Sequence, residues 1–237
     1  MMARIYSSAE RAIAWLGESV HESDVLLSGI NDVDHHDPKC SKGEEKQYIP
    51  SHENFQKKDL FLGRPNWNRT QIIQELHMAG AVLFLCGSSQ VTRTRLSTIF
   101  EDVWTNGVMT DSMSRVKYLI DGQKLFNTND IHMIDSHLPA LIKQYGRTEC
   151  FDERDKVYAL LSIIPENDPV RSLDIDYSIT PTQLFAQIFE LLKFDWPGDA
   201  WVEADALRQS LRLEWPQIRA AWNETHPKGT FPWKISR

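Results

Sequence analysis

The chain has 237 residues, of which 41% are hydrophobic and 25% charged, and its formal net charge is -7. This is the balance of an ordinary globular chain, long enough for one large domain or a domain with an appendage, and no apolar run nears the roughly 18 residues that span a bilayer. An acidic chain without clustered Lys and Arg excludes a nucleic-acid polyanion as its main partner, because phosphate neutralisation needs such clusters, and no membrane partner is expected. Cys40, Cys86 and Cys150 are scattered, with no C-x-x-C pair, so reduced thiols are expected. Arg4, Glu10 and Arg11 interrupt any signal-like apolar core near the start, which makes a cytoplasmic location the expectation.

Residues 2–10 predict a short helix. Ala12 to Leu16 (AIAWL) and Ala81 to Leu85 (AVLFL) are nearly continuous apolar runs, each followed by a glycine, Gly17 and Gly87. Strands of a parallel sheet covered on both faces have this pattern. Residues 22–33 predict a helix with Val25, Leu26, Ile30 and Val33 on one side. Residues 34–58 have many charges, two prolines and little periodicity, and predict a mobile surface loop. A helix follows within RPNWNRTQIIQELHMAG (64–80), and another over 92–104 carries Leu96, Ile99, Phe100 and Val103. The expected fold class over 1–105 is therefore α/β, a partial doubly wound sheet with helices on both faces.

From 106 to 195 the pattern is mainly helical, with apolar i, i+3, i+4 spacing at 136–145, 152–164 and 181–193. Pro139 suits a first helical turn if the cap lies near Ser136, and Thr180 before Pro181 is a good N-cap with proline at the first helical position. Residues 196–237, with Trp196, Trp201, Trp215, Trp222 and Trp233, read as a partly disordered appendage. It holds one more helix near 203–223, interrupted at Pro216, and a loosely ordered tail from Thr225.

Three blocks resemble the fungal heterokaryon incompatibility (HET) domain. The first, MARIYSSAERAIAWLG (2–17), is similar to that family's M-x-x-I-Y-x-x-A helix and the strand ending in W-L-G. In the second, 64–87, the matches to R-P-W-F-x-R-x-W-V-x-Q-E and the strand ending in C-G are Arg64, Pro65, Arg69, Gln74, Glu75, Cys86 and Gly87. The third, CFDERDKVYALL (150–161) with Asp176 and Tyr177, is similar to D-x-R-D-K-V-Y-A-L-L-G and the D-Y beyond it. Two departures stand beside the matches. The family's upstream strands, of the L-S-Y-x-W-G and W-I-D-A-x-C kinds, are lacking, so the resemblance implies a form shortened at its N-terminus. The family's tandem aromatic is shifted to Asn66 and Trp67, with Gln71 in place of the second tryptophan.

That resemblance implies a partial Toll/interleukin-receptor (TIR)-like sheet and a role in non-self recognition and cell-death signalling. Its expected partners are copies of itself, other HET proteins or receptors. Some TIR domains cleave NAD with a helical glutamate, and by that likeness Glu75 is the candidate catalytic residue, NAD being substrate rather than cofactor. Loss of nicotinamide passes through an oxocarbenium-like ribosyl cation that a carboxylate can stabilise. The rivals are a non-catalytic interaction module and an inactive truncated product.

Each candidate has a plainer reading. Glu75 borders the apolar face made by Ile72, Ile73, Leu76 and Ala79, and could instead pair with Arg64, Arg69 or Arg93. Asp32, Asp34, His35, His36, Asp37 and Cys40 are metal-ligand types without a closed-site spacing, so no metal is expected. Asp152, Arg154, Asp155 and Lys156 read as helix-start charges and ion pairs above a packed face of Val157, Leu160, Leu161 and Ile164. Cys86 reads as a buried small hydrophobe, and the C-terminal tryptophans as packing beneath a helical cap.

Overall fold

The computed structural model describes residues 2–20, 23, 26, 27, 52–97, 110–127, 137–192 and 200–226. The chain divides into two compact units, Met1–Asp130 and Ile131–Arg237. The fold is mixed α/β and mostly helical, with one small mixed sheet.

The first unit begins with α1 (Met2–Ser8) and β1 (Ala12–Trp15). Helix α2 (His52–Leu62) and a 3-10 turn (Pro65–Asn68) lead to α3 (Gln71–Met78), β2 (Val82–Cys86) and β3 (Ser89–Thr92). Helix α4 (Asp111–Asn127) follows. Strand β1 runs parallel to β2, Ala12 opposite Val82 and Trp15 opposite Leu85, as two apolar runs separated by a helical crossover require. Strand β3 returns antiparallel, with Cys86 opposite Ser89.

Three expectations are corrected here. The runs are not buried on both faces: Ala12, Ala14 and Leu16 are buried, but Ile13 is 61% and Trp15 46% exposed. An apolar run cannot distinguish a strand covered twice from one covered once. The helix expected from residue 92 starts at 93, because SQVT pairs with β2 through a turn at Gly87 and only Val91 of that strand is buried. Residues 52–58, placed in the mobile loop, belong to α2. The rest of that loop, the metal-ligand cluster from Asp32 to Cys40, and Ile99, Phe100 and Val103 lie outside the described residues, as does the 22–33 helix apart from residues 23, 26 and 27.

Trp67 fills the centre of this unit. It is 1% exposed, its ring lies 6.2 Å from Phe61 and 5.5 Å from Phe84, and its indole N–H donates to the Phe61 carbonyl at 3.1 Å. The shifted aromatic of the second block is therefore a core residue, with its one polar atom satisfied.

The second unit comprises α5 (Leu138–Tyr145), α6 (Asp155–Leu161), a 3-10 turn (Pro169–Ser172), α7 (Pro181–Leu192), α8 (Ala200–Ser210) and α9 (Trp215–Thr225). Thr180 caps α7 as expected: its hydroxyl accepts from the Gln183 N–H at 3.2 Å, while the Gln183 side chain accepts from the Thr180 N–H at 2.8 Å. Pro216 starts α9 instead of interrupting a longer helix, since proline fits the first turn, and Glu214 and Gln217 form a capping box there. Trp201 stacks on Trp215 at 4.6 Å, Phe185 meets Trp215 at 6.2 Å and Phe189 meets Trp222 at 5.4 Å, so these tryptophans pack. Trp196, Trp233 and the tail from 227 lie outside the described residues.

Candidate functional site

Helix α3 forms because Ile72, Ile73 and Leu76 recur at helical spacing and are buried; Glu75 lies beside them, half-buried. Its partner comes from α1, where the Tyr6 hydroxyl donates to Glu75 Oε1 at 3.1 Å. Burial and, behind it, the Glu75 carboxylate push the Tyr6 phenol up to about 12, so Tyr6 stays a donor at neutral pH. The Arg69 guanidinium opposes that rise.

The expectation of an arginine partner for Glu75 gives way. Arg64 turns to the carboxyl ends of the strands, where its Nη1 donates to the carbonyls of Leu16 and Glu18 at 3.0 Å and to Cys86 Sγ at 2.8 Å. Its Nη2 reaches the Val20 carbonyl at 3.3 Å and Ser23 Oγ at 3.0 Å. Five donors in a rigid fork suit a cluster of backbone carbonyls that no shorter cation could reach together. Arg93 donates to the Leu76 carbonyl, and burial lowers its guanidinium to about 10.

The carboxyl ends of parallel strands are the usual ligand crevice of an α/β sheet, and here Arg64 occupies that ground. Two glycines let the chain close over it. Gly17 has φ +97 and Gly87 φ +55, and a Cβ on Gly87 would stand 2.7 Å from that of Ser19. Cys86 is fully buried at the end of β2, as its sequence reading has it, but it also serves as acceptor for Arg64 and donor to Ser23 Oγ at 3.3 Å. Sequence gave no signal of that thiol's polar role.

The third block forms its own fastening in the second unit. Arg154 pairs with Asp152 through Nε at 2.8 Å and donates from Nη1 to the carbonyls of Tyr177, at 2.7 Å, and Ile179. The Tyr158 hydroxyl donates to the Asp176 carbonyl at 2.7 Å, and that of Tyr177 to Asp155 Oδ1 at 2.5 Å. Hydrogen bonding from Arg154 holds the Asp152 carboxyl below its ordinary range, and burial followed by the Asp155 hydrogen bond raises the Tyr177 phenol. Lys156 pairs with Glu153 at 2.9 Å. Every charged group named in the block has a structural partner, as its plainer reading expects.

Elsewhere in this unit, a void between α5, α7 and α8 has a volume of about 10 Å³, with Ile142, Ile188, Leu207 and Glu203 among its walls. That is room for about one water, too little for a nucleotide. Among the described residues no three His, Cys, Asp or Glu side chains gather closely enough to hold a metal ion, and no helix is long and apolar enough to cross a membrane. No protein-family model, curated protein or solved structure matches the chain.

Proposed function

We propose that the chain is a HET-like protein of non-self recognition and cell-death signalling, and that its chemistry is cleavage of NAD at Glu75. The supporting observation is that residues quoted from the separate sequence blocks find one another. Tyr6 of the first block binds Glu75 of the second, Arg64 reaches the end of the first block and Cys86, and Arg154 joins the two parts of the third. A chance likeness would scatter these positions over unrelated contacts. The small mixed sheet is, on this reading, part of a TIR-like doubly wound sheet, and the protein works in the cytoplasm with other HET proteins or receptors.

In the reaction, the bond between the ribose anomeric carbon and the nicotinamide nitrogen breaks, and nicotinamide leaves with the bonding electron pair. The ribosyl cation is stabilised by the Glu75 carboxylate and captured by water, which yields ADP-ribose and a proton. Tyr6 orients the carboxylate without taking its charge, because its phenol titrates far above neutrality. The test is nicotinamide release by the purified chain incubated with NAD, with Glu75→Gln beside it. Release by the parent and an about 100-fold slower variant would uphold the reading.

A second reading is favoured by a different observation. Strand β1 has no second neighbour among the described residues, and its outer face carries exposed Ile13 and Trp15, which supports reading the chain as an interaction module that signals by assembly. Folded protein that releases no nicotinamide would favour it.

A further inference from the structure

Strand β1 is the last strand of its sheet among the described residues, and its even-numbered residues face β2: Ala12 N–H donates to the Ala81 carbonyl at 2.9 Å and Leu16 N–H to that of Leu85 at 2.7 Å. Alternation along a strand then turns the backbone groups of Arg11, Ile13 and Trp15 to the other side, away from β2. The side chains of the same three residues share the exposed face of the sheet, Ile13 at 61% and Trp15 at 46% exposure, with Arg11 exposed beside them. Such an edge is a template for another strand.

The pattern of this edge is self-complementary. Laid antiparallel about a dyad through Ile13, a second β1 places Arg11 opposite Trp15 of the other copy, twice, and Ile13 opposite Ile13. The odd-numbered residues then meet as hydrogen-bonded pairs, each exchanging N–H and carbonyl. Across the dyad each guanidinium lies beside an indole face, a favourable cation–π pairing, and the two Ile13 side chains cover each other. A shift by one residue would set the inward-facing groups of Ala12 and Ala14 against the partner and lose every one of these bonds. Asn66 Nδ2 donates to the Trp15 carbonyl at 3.0 Å, which takes one of that oxygen's two lone pairs and leaves the other for the incoming strand.

We infer that the free edge of β1 is the docking site of a second copy of this chain, paired antiparallel with Ile13 on the two-fold axis. The pairing extends the sheet across two molecules. It deepens the reading of the chain as an interaction module and rests on it, but not on the NAD reading, whose failure in the nicotinamide assay would leave it standing.

The test uses the full chain. Ile13→Cys puts two thiols on the dyad, where Cα atoms of a hydrogen-bonded antiparallel pair lie about 5.5 Å apart, within disulfide reach. Under mild oxidation Ile13→Cys is expected to form a covalent dimer at least tenfold faster than Leu60→Cys, a comparably exposed position on α2. Light scattering at rising concentration is expected to show dimerisation of the parent, and Ile13→Lys, which sets two like charges face to face, is expected to weaken it about tenfold or more. Because Ile13 is exposed, circular dichroism should find both variants folded. A parent that stays monomeric throughout, equal cross-linking by Ile13→Cys and Leu60→Cys, or undiminished association of Ile13→Lys would each overturn the inference.

Discussion

The Tyr6 hydroxyl donates to Glu75 Oε1 at 3.1 Å across the seam between α1 and α3, joining residues 69 apart in the chain. Tyr6→Phe removes that donor while keeping the ring. It is expected to lower unfolding stability by about 1 kcal/mol, the net worth of one such hydrogen bond, and to slow nicotinamide release without abolishing it. Chemical denaturation and a KM-against-kcat comparison check both parts. An orienting role lowers kcat at unchanged KM, whereas a purely structural role lowers stability alone.

His77 and Gly122 make a second close contact, between α3 and α4. A Cβ on Gly122 would stand 2.3 Å from His77 Nε2, and the ring is buried, with Nδ1 2.9 Å from the Ile73 carbonyl. Gly→Ala in a helix ordinarily stabilises by about 1 kcal/mol. Here the clash reverses the sign, and Gly122→Ala is expected to destabilise by about 2 kcal/mol in urea unfolding.

The same burial gives a pH dependence. It lowers the His77 imidazole from 6.5 to about 4, and the Arg93 charge adds to the fall. Between those values the unfolded chain binds a proton that the folded chain refuses, so stability drops as pH falls. The loss is about 3 kcal/mol between pH 6.5 and pH 4, at about 1.4 kcal/mol per unit. Unfolding of the parent and of His77→Gln at both pH values measures it, and the variant should show the smaller loss.

Arg64→Lys keeps the charge but loses the fork that serves the carbonyls of Leu16, Glu18 and Val20 together. The Leu16 carbonyl is buried and those of Glu18 and Val20 are partly so. A buried carbonyl left unpaired costs about 1–3 kcal/mol and a partly exposed one less, so a total near 3 kcal/mol is expected in urea unfolding. The variant should fall well below a surface change such as Arg171→Lys.

In the second unit, Arg154 holds the carbonyls of Tyr177 and Ile179. Arg154→Lys is expected to speed amide exchange across 175–180 while leaving α7, capped by Thr180, as protected as before. The Asp152 carboxyl is held low by Arg154, so this fastening is present above the ordinary carboxylate range and weakens as pH falls below it.

What the sequence disclosed follows from the range of each interaction. The helical periodicity of QIIQELHM, the cap at Thr180 and the two apolar strands are local patterns, and each forms where expected. The strand SQVT was hidden because its one buried side chain, Val91, makes no periodic signal and its pairing depends on the turn at Gly87. Helix α2 was hidden by charge, since HENFQKKDLFL sits beside a polar stretch that masks its apolar end at Phe61 and Leu62. The border position of Glu75 was legible from α3 alone. Its partner was not, because Tyr6 lies in another helix, and Arg64, one of the three arginines the sequence offered, is drawn away by carbonyls at the strand ends.

The central claim is that Glu75 is a working carboxylate and not only a hydrogen-bond acceptor for Tyr6. The most direct measurement is a nicotinamide time course with NAD, comparing the folded parent chain with Glu75→Gln, which preserves the side-chain shape and can still accept from Tyr6. The account predicts release by the parent and a rate about 100-fold lower for the variant. Equal rates from the two folded proteins, whether both active or both silent, would contradict it.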